Sequence, residues 1–202
     1  MKSLLIALMI LIGVISFFTF MYLKASPEIN TPSKASLSTY SGSGFEFSYN
    51  SEWVHKSFLE LHGASVAPPV DIAQSLPEVF LTKAQLEEFD PNSTDSIRDF
   101  SEVSVVLGSG DVETGTKEAS GLKCSDHGLP VTTDSPDLSR VKHITVSDMP
   151  ALGVESLPCQ QQFYTVIIQI GSGFLSLDFE KTSSIESLSP DQKIIVNTFK
   201  RT

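Results

Sequence analysis

The chain has 202 residues, 41% of them hydrophobic and 19% charged, which suits one folded domain and excludes collagen-like or disordered proteins. Lys2 and Lys24 are the only charged side chains before Glu28, so residues 25 to 202 carry 12 basic against 24 acidic groups. That surplus repels phosphate backbones and anionic headgroups and argues against nucleic acid as a partner.

Leu4 to Leu23 reads LLIALMILIGVISFFTFMYL, without a charge. At about 1.5 Å per residue such a run spans about 30 Å, the thickness of a bilayer's hydrocarbon core. It has no polar face, so it does not read as a core helix. Tyr22 stands at an interfacial position, and Lys2 and Lys24 flank the run. Residues 1–24 are therefore predicted to be a single transmembrane anchor. Its rival is a cleaved signal peptide, but the run is too long and Leu23-Lys24-Ala25 is a poor cleavage site. The expected orientation puts the N-terminus in the cytoplasm and the C-terminal domain outside it, secreted if the segment is cut.

Residues 25–43 are predicted to be a linker rich in Ser and Pro, too poor in apolar surface to offset its ordering entropy. The domain is expected to occupy 44–202. It opens on Phe45-Glu46-Phe47-Ser48-Tyr49, whose alternation puts three aromatics on one strand face. Asn50-Ser51-Glu52 is a turn, and Trp53 is a core residue. Pro77 to Leu81 reads as a short strand. Thr82 and Gln85 have the spacing of a capping box opening a short helix that ends before Pro91. Asn92 to Phe100 is a second short helix, and 102–107 a strand.

From Gly108 to Arg140 the hydrophobic signal fades, which predicts an insertion or long surface loop with one or two short elements. Val141 to Val146 and Gln161 to Ile170 are strands. Gly171-Ser172-Gly173 is a three-residue hairpin loop, and Phe174 to Glu180 returns antiparallel. Ser189-Pro190-Asp191 starts a closing helix with Ile194, Ile195 and Phe199 as its stripe and Lys200 and Arg201 at its negative end. The order of elements predicts an α+β fold with a mainly antiparallel β-sheet.

The opening Gly44-Phe45-Glu46-Phe47-Ser48-Tyr49-Asn50-Ser51-Glu52-Trp53 resembles the start of PsbP-like domains. The final hairpin and the helix closing on Ile195-Val196-Asn197-Thr198-Phe199-Lys200 are similar to that family's end. The resemblance implies an antiparallel sheet packed between helices, the PsbP-like α/β/α sandwich. It also implies a binding or scaffolding role, and it carries over no functional residue.

Cys124 and Cys159 are the only cysteines. On the oxidising side of a membrane a structural disulfide between them is the leading expectation, with two free thiols or a redox or metal role as alternatives. Cys124, Asp126, His127 and His143 are the only cluster that could hold zinc or copper. Their irregular spacing reads as a surface loop, and His55 and His62 read as isolated and exposed. No H-E-x-x-H, G-x-S-x-G, phosphate-loop or dinucleotide motif occurs. The expectation is therefore no catalytic residue, no cofactor and no metal. The expected partners are the membrane, through the N-terminal helix, and a protein of the envelope. The alternative is a hydrolase, or a binder of divalent cations or small ligands, with a site assembled from the polar 108–143 region.

Overall fold

The aromatic alternation forms strand β2 (Phe45–Asn50), with Phe45 and Phe47 each 1% exposed. In this computed structural model the described residues are 36–62, 76–91, 101–125, 130–133, 135–157 and 163–202. β2 is the middle of a three-stranded antiparallel sheet, between β1 (Leu37–Gly42) and β12 (Lys200–Arg201). β1 takes residues 37–42 out of the linker predicted over 25–43. It pairs with β2 from Leu37 opposite Asn50 to Gly42 opposite Phe45, and the compact unit begins at Ser36. Its own apolar content is low, but backbone bonds to β2 and the packing of Tyr40 on Phe45 and Phe47, at 5.9 and 5.3 Å, offset the cost of ordering it.

A second sheet has seven antiparallel strands in the order β3-β4-β5-β11-β10-β9-β8. These are β3 (Val54–Ser57), β4 (Glu78–Leu81), β5 (Val103–Ser109), β8 (Val141–Val146), β9 (Met149–Glu155), β10 (Phe163–Ile170) and β11 (Gly173–Glu180). β3 and β9 were not expected. Pro150 and Gly153 disguise β9, which turns back from β8 through Ser147 and Asp148 at φ 44° and 67°. Gly153 leaves room for the Tyr164 hydroxyl, which a Cβ there would overlap. The β10–β11 hairpin is tighter than predicted, with Ile170 directly opposite Gly173 and Gly171 at φ 57°.

One face of this sheet is apolar. Val103, Val105, Val166, Ile168, Leu175, Leu177 and Phe179 pack beneath the first sheet and α4 (Pro190–Thr198), which contributes Ile195 and Val196 and is followed by Phe199. The predicted helix start is present: Ser189 and Gln192 form a capping box with Pro190 in the first turn. Lys200 and Arg201 do not serve the helix end. They form β12, and Lys200 pairs with Glu46.

The opposite face is covered in two places. Phe58 and Leu61 of α1 (Phe58–His62), with Leu86 of α2 (Lys83–Glu88) and Phe89, pack on Val79 and Leu81. The Thr82–Gln85 capping box starts α2 as expected. Further along, α3 (Val112–Ser120) lies over Val154, Ile167 and Phe174. α3 is a helical element within the stretch 108–140, which was expected to be an insertion or long surface loop with one or two short elements, and it is packed on the sheet. Its buried side is Gly115, Thr116 and Ser120, whose size lets the helix approach the sheet, while both hydroxyls donate to carbonyls one turn back. Asp111 caps it through Thr114 N. After α3 come a small antiparallel pair, β6 (Leu122–Cys124) with β7 (Pro130–Thr132), and a single 3-10 turn at Leu138–Arg140.

The fold is thus α+β with mostly antiparallel sheets. No helix among the described residues is long and apolar enough to cross a membrane. The anchor expected at 1–24 lies outside the described residues, as do the helix expected at Asn92–Phe100 and the first two residues of the strand expected from Gln161.

Candidate functional site

Cross-strand registers set a row of side chains across the α3 face: Val79, Ser104, Asp178, Thr165 and Val154. Its centre is polar. Asp178 is only 6% exposed, and the Thr165 hydroxyl donates to its Oδ1 at 2.5 Å. Ser104 and Ser176 reach its two oxygens at 3.5 Å each. Asp178 and Glu118 both have further partners.

Between this row and α3 is a pocket of about 120 Å³. Its floor is Thr165, Ser176, Asp178, Phe174 and Val106, and its helical wall is Gly115, Glu118 and Ala119. Gly115 is required by packing, since a Cβ there would lie 2.7 Å from the Phe174 ring. A buried carboxylate set among hydroxyls can orient hydrogen-bond donors or a small cation. None of the side chains lining the pocket is a histidine, cysteine or lysine.

A second cluster lies at the β3 edge of the seven-stranded sheet. His55 sits against Phe80, with centroids 5.0 Å apart and nearly parallel, and meets Tyr40 edge-on at 4.9 Å. Its Nε2 is 2.7 Å from Glu78 Oε2. Burial, and then the charge of Glu78, push the Tyr40 hydroxyl up to about 12. His55 is therefore not the isolated, exposed residue expected: β4 brings Phe80 and Glu78 beneath it. His62 is also packed, between Phe58 at 4.4 Å and Phe89 at 5.3 Å, with Nδ1 3.2 Å from the Pro91 carbonyl oxygen.

The residues named from sequence do not converge among the described residues. Cys124, at the end of β6, is not a free thiol. Cys159, Asp126 and His127 lie outside the described residues, and His143 is exposed on β8. No group of three or more His, Cys, Asp or Glu among the described residues could hold a metal. The polar region is tied down by Arg140, whose guanidinium donates to Ser120 O at 2.9 Å and Glu155 O at 2.6 Å. Sequence reasoning missed Asp178 because Leu175, Leu177 and Phe179 already named one face of β11, leaving Asp178 to read as solvent-facing. The uninterrupted apolar runs Val105-Val106 in β5 and Val166-Ile167-Ile168 in β10 were the available signals that the opposite face is buried too, with Val106 and Ile167 on it.

No family model matches the sequence, and no curated protein matches it. Solved structures do. The solution structure of cyanobacterial PsbP (CyanoP) from Synechocystis sp. PCC 6803 aligns over 86% of this chain and 96% of its own, at 12% identity and a TM-score of 0.42. A crystal structure from Bacteroides thetaiotaomicron VPI-5482 aligns over 81% of this chain and 48% of its own, at 9% identity and a TM-score of 0.35. Similarity at this level assigns no family and no activity.

Proposed function

We propose that the protein is a membrane-anchored, extracytoplasmic domain of PsbP-like architecture that acts by binding a protein partner in the envelope rather than by catalysis. The observation that carries this reading is the start of β1 at Leu37, which leaves only residues 24–36 between the uncharged apolar run and the fold. Thirteen residues reach at most about 45 Å when fully extended, so the tether confines the domain to a shallow layer above the bilayer. Residues 36–202 carry 11 basic and 23 acidic groups, which oppose its lying on anionic headgroups. Confinement without adsorption suits lateral association with another envelope protein.

The same address favours a bridge between Cys124 and Cys159, 35 positions apart. Such a bridge restricts the unfolded chain by about 3.8 kcal/mol in the loop-entropy account. The test is fractionation of cells making the full chain, with thiol labelling before any reductant. Intact protein in the membrane fraction, unlabelled, and digested by protease added from outside supports the reading. Intact protein in the soluble fraction with both thiols labelled overturns it.

The pocket floored by Asp178 favours a second reading, as a binder of a small cationic or donor-rich ligand. Calorimetry of the full chain with ammonium, primary amines and divalent cations, beside Asp178→Asn, tests it. Heat that the substitution abolishes supports it, and no heat from any of them removes it.

A further inference from the structure

The two sides of β2 are finished differently. On one side β12 pairs with Phe45 and Glu46, and the Thr198 hydroxyl accepts from Ser48 N at 2.8 Å. On the other side lies β1, and no further strand of the described residues joins it. Among the described residues, Leu37–Gly42 form no backbone hydrogen bonds other than those to β2. Among the described residues, nothing pairs with the outward N–H and C=O groups of this six-residue strand.

The outer strands of the seven-stranded sheet are defended. β3 is four residues long and carries Lys56, and β8 carries Lys142 and His143. β1 reads LSTYSG, with neither a charge nor a proline. Leu37, 52% exposed, and the exposed Thr39 and Ser41 stand on its solvent face.

We infer that β1 is a strand-addition edge, and that its occupant is β1 of a second copy, paired antiparallel about a two-fold axis through Thr39. That register sets Thr39 opposite its counterpart, Leu37 opposite Ser41 and Ser38 opposite Tyr40. Every pair joins residues of the same face, so the two sheets continue as one without inverting. No charge meets a like charge along the seam.

Other occupants fit less well. The chain just before β1 carries Pro27 and Pro32, which cannot donate to a ladder. A basic strand would gain little at the seam itself, because Glu46, opposite Ser41, already pairs with Lys200, and Glu78, whose charge reaches Tyr40, already pairs with His55. A seam of six residues is small, and two copies of so acidic a domain repel in solution. The pairing therefore depends on confinement to one bilayer, which raises the effective concentration of each copy for the other. In that respect it rests on the tethered reading above.

The test uses the full chain in native membranes and in detergent. Thr39→Cys is compared with His143→Cys on the β8 edge under mild oxidation, with the unsubstituted chain as background. Thr39→Cys in membranes should give at least about tenfold more covalent dimer than His143→Cys, and should lose it on dilution in detergent. Adding Ser41→Lys to Thr39→Cys should abolish the dimer, and higher salt should increase it by screening. If Thr39→Cys cross-links no better than His143→Cys while the protein fractionates with membranes, the edge inference fails and the tethered reading stands. A Thr39→Cys adduct of a different mass, weakened by salt, shows a foreign strand and overturns the second copy. Recovery of the chain in the soluble fraction defeats the tethered reading instead.

Discussion

The two faces of the seven-stranded sheet are held by different physics. Toward the first sheet lies an apolar face in which Val103, Leu177, Phe179 and Tyr164 are each at most 1% exposed, closed by aromatic rings from β2 and by α4. Toward α3, the neighbouring positions are Ser104, Asp178 and Thr165, and a helix with small residues on its buried side covers them in part. The first face is stabilised by removing apolar area from water. The second depends on satisfying polar groups that folding has already desolvated. Substitutions should therefore act through volume on one face and through hydrogen bonds on the other.

The largest effect is expected from Phe179→Ala, which empties the middle of the apolar face. Removing a fully buried phenylalanine costs about 3–5 kcal/mol. The urea midpoint should fall sharply with little change in slope, and an unchanged midpoint would show that the face is not the main core. Tyr164, beside it, gives that face a pH limit. Burial, and then the charges of Glu186 and Glu155, push its hydroxyl up to about 12. A folded-state pKa above the unfolded value of 10.0 means the unfolded chain loses its proton first. Stability is then fully present below pH 10 and is lost as pH rises toward 12, by about 3 kcal/mol at roughly 1.4 kcal/mol per unit. Tyr164→Phe should flatten this decline in a series of alkaline melts, with tyrosinate absorbance as the independent readout.

The second face is expected to respond more weakly. Thr165→Val keeps shape and removes the 2.5 Å hydrogen bond to Asp178. A buried carboxylate deprived of one donor costs about 1–3 kcal/mol. A double-mutant cycle with Asp178→Asn separates that bond from simple loss of a hydroxyl: coupling near zero would mean that Asp178 relies on its other partners.

This asymmetry also explains what the sequence disclosed. The apolar face was legible because FEFSY and FLSLDFE alternate, and alternation is what a half-buried strand leaves in a sequence. The closing helix was legible through Ser189 and Pro190. α3 was not, because VETGTKEAS buries Gly115, Thr116 and Ser120, and a helix that packs through its smallest residues shows no apolar stripe. β1 was lost for a related reason: LSTYSG has linker composition, and its order comes from β2 rather than from its own residues. Asp178 was hidden because alternation marks the buried face only when the other face is wet, and here both are covered. The polar middle, read as an insertion, contributes α3 to the wall of the pocket.

The smallest expected effect compares two capping boxes that look alike in sequence. Ser189 with Gln192 and Thr82 with Gln85 satisfy the same pair of backbone N–H groups. Their glutamines differ in what else they hold. Gln192 is 2% exposed, and its Nε2 donates to the backbone oxygens of Glu102 and Glu180 at 3.1 and 3.0 Å, stitching α4 to the ends of β5 and β11. Gln85 is half-buried and donates to the Glu102 carboxylate at 3.0 Å, where water can replace it. Both substitutions to Ala remove the reciprocal bond of the box. Only Gln192→Ala also strips a donor from buried carbonyls, so it should cost more than Gln85→Ala by about 1 kcal/mol. Equal losses in denaturant melts would mean that the contacts beyond the cap contribute nothing. Faster amide exchange confined to α2 in Gln85→Ala, but spreading into β5 and β11 in Gln192→Ala, would locate the difference in the buried carbonyls.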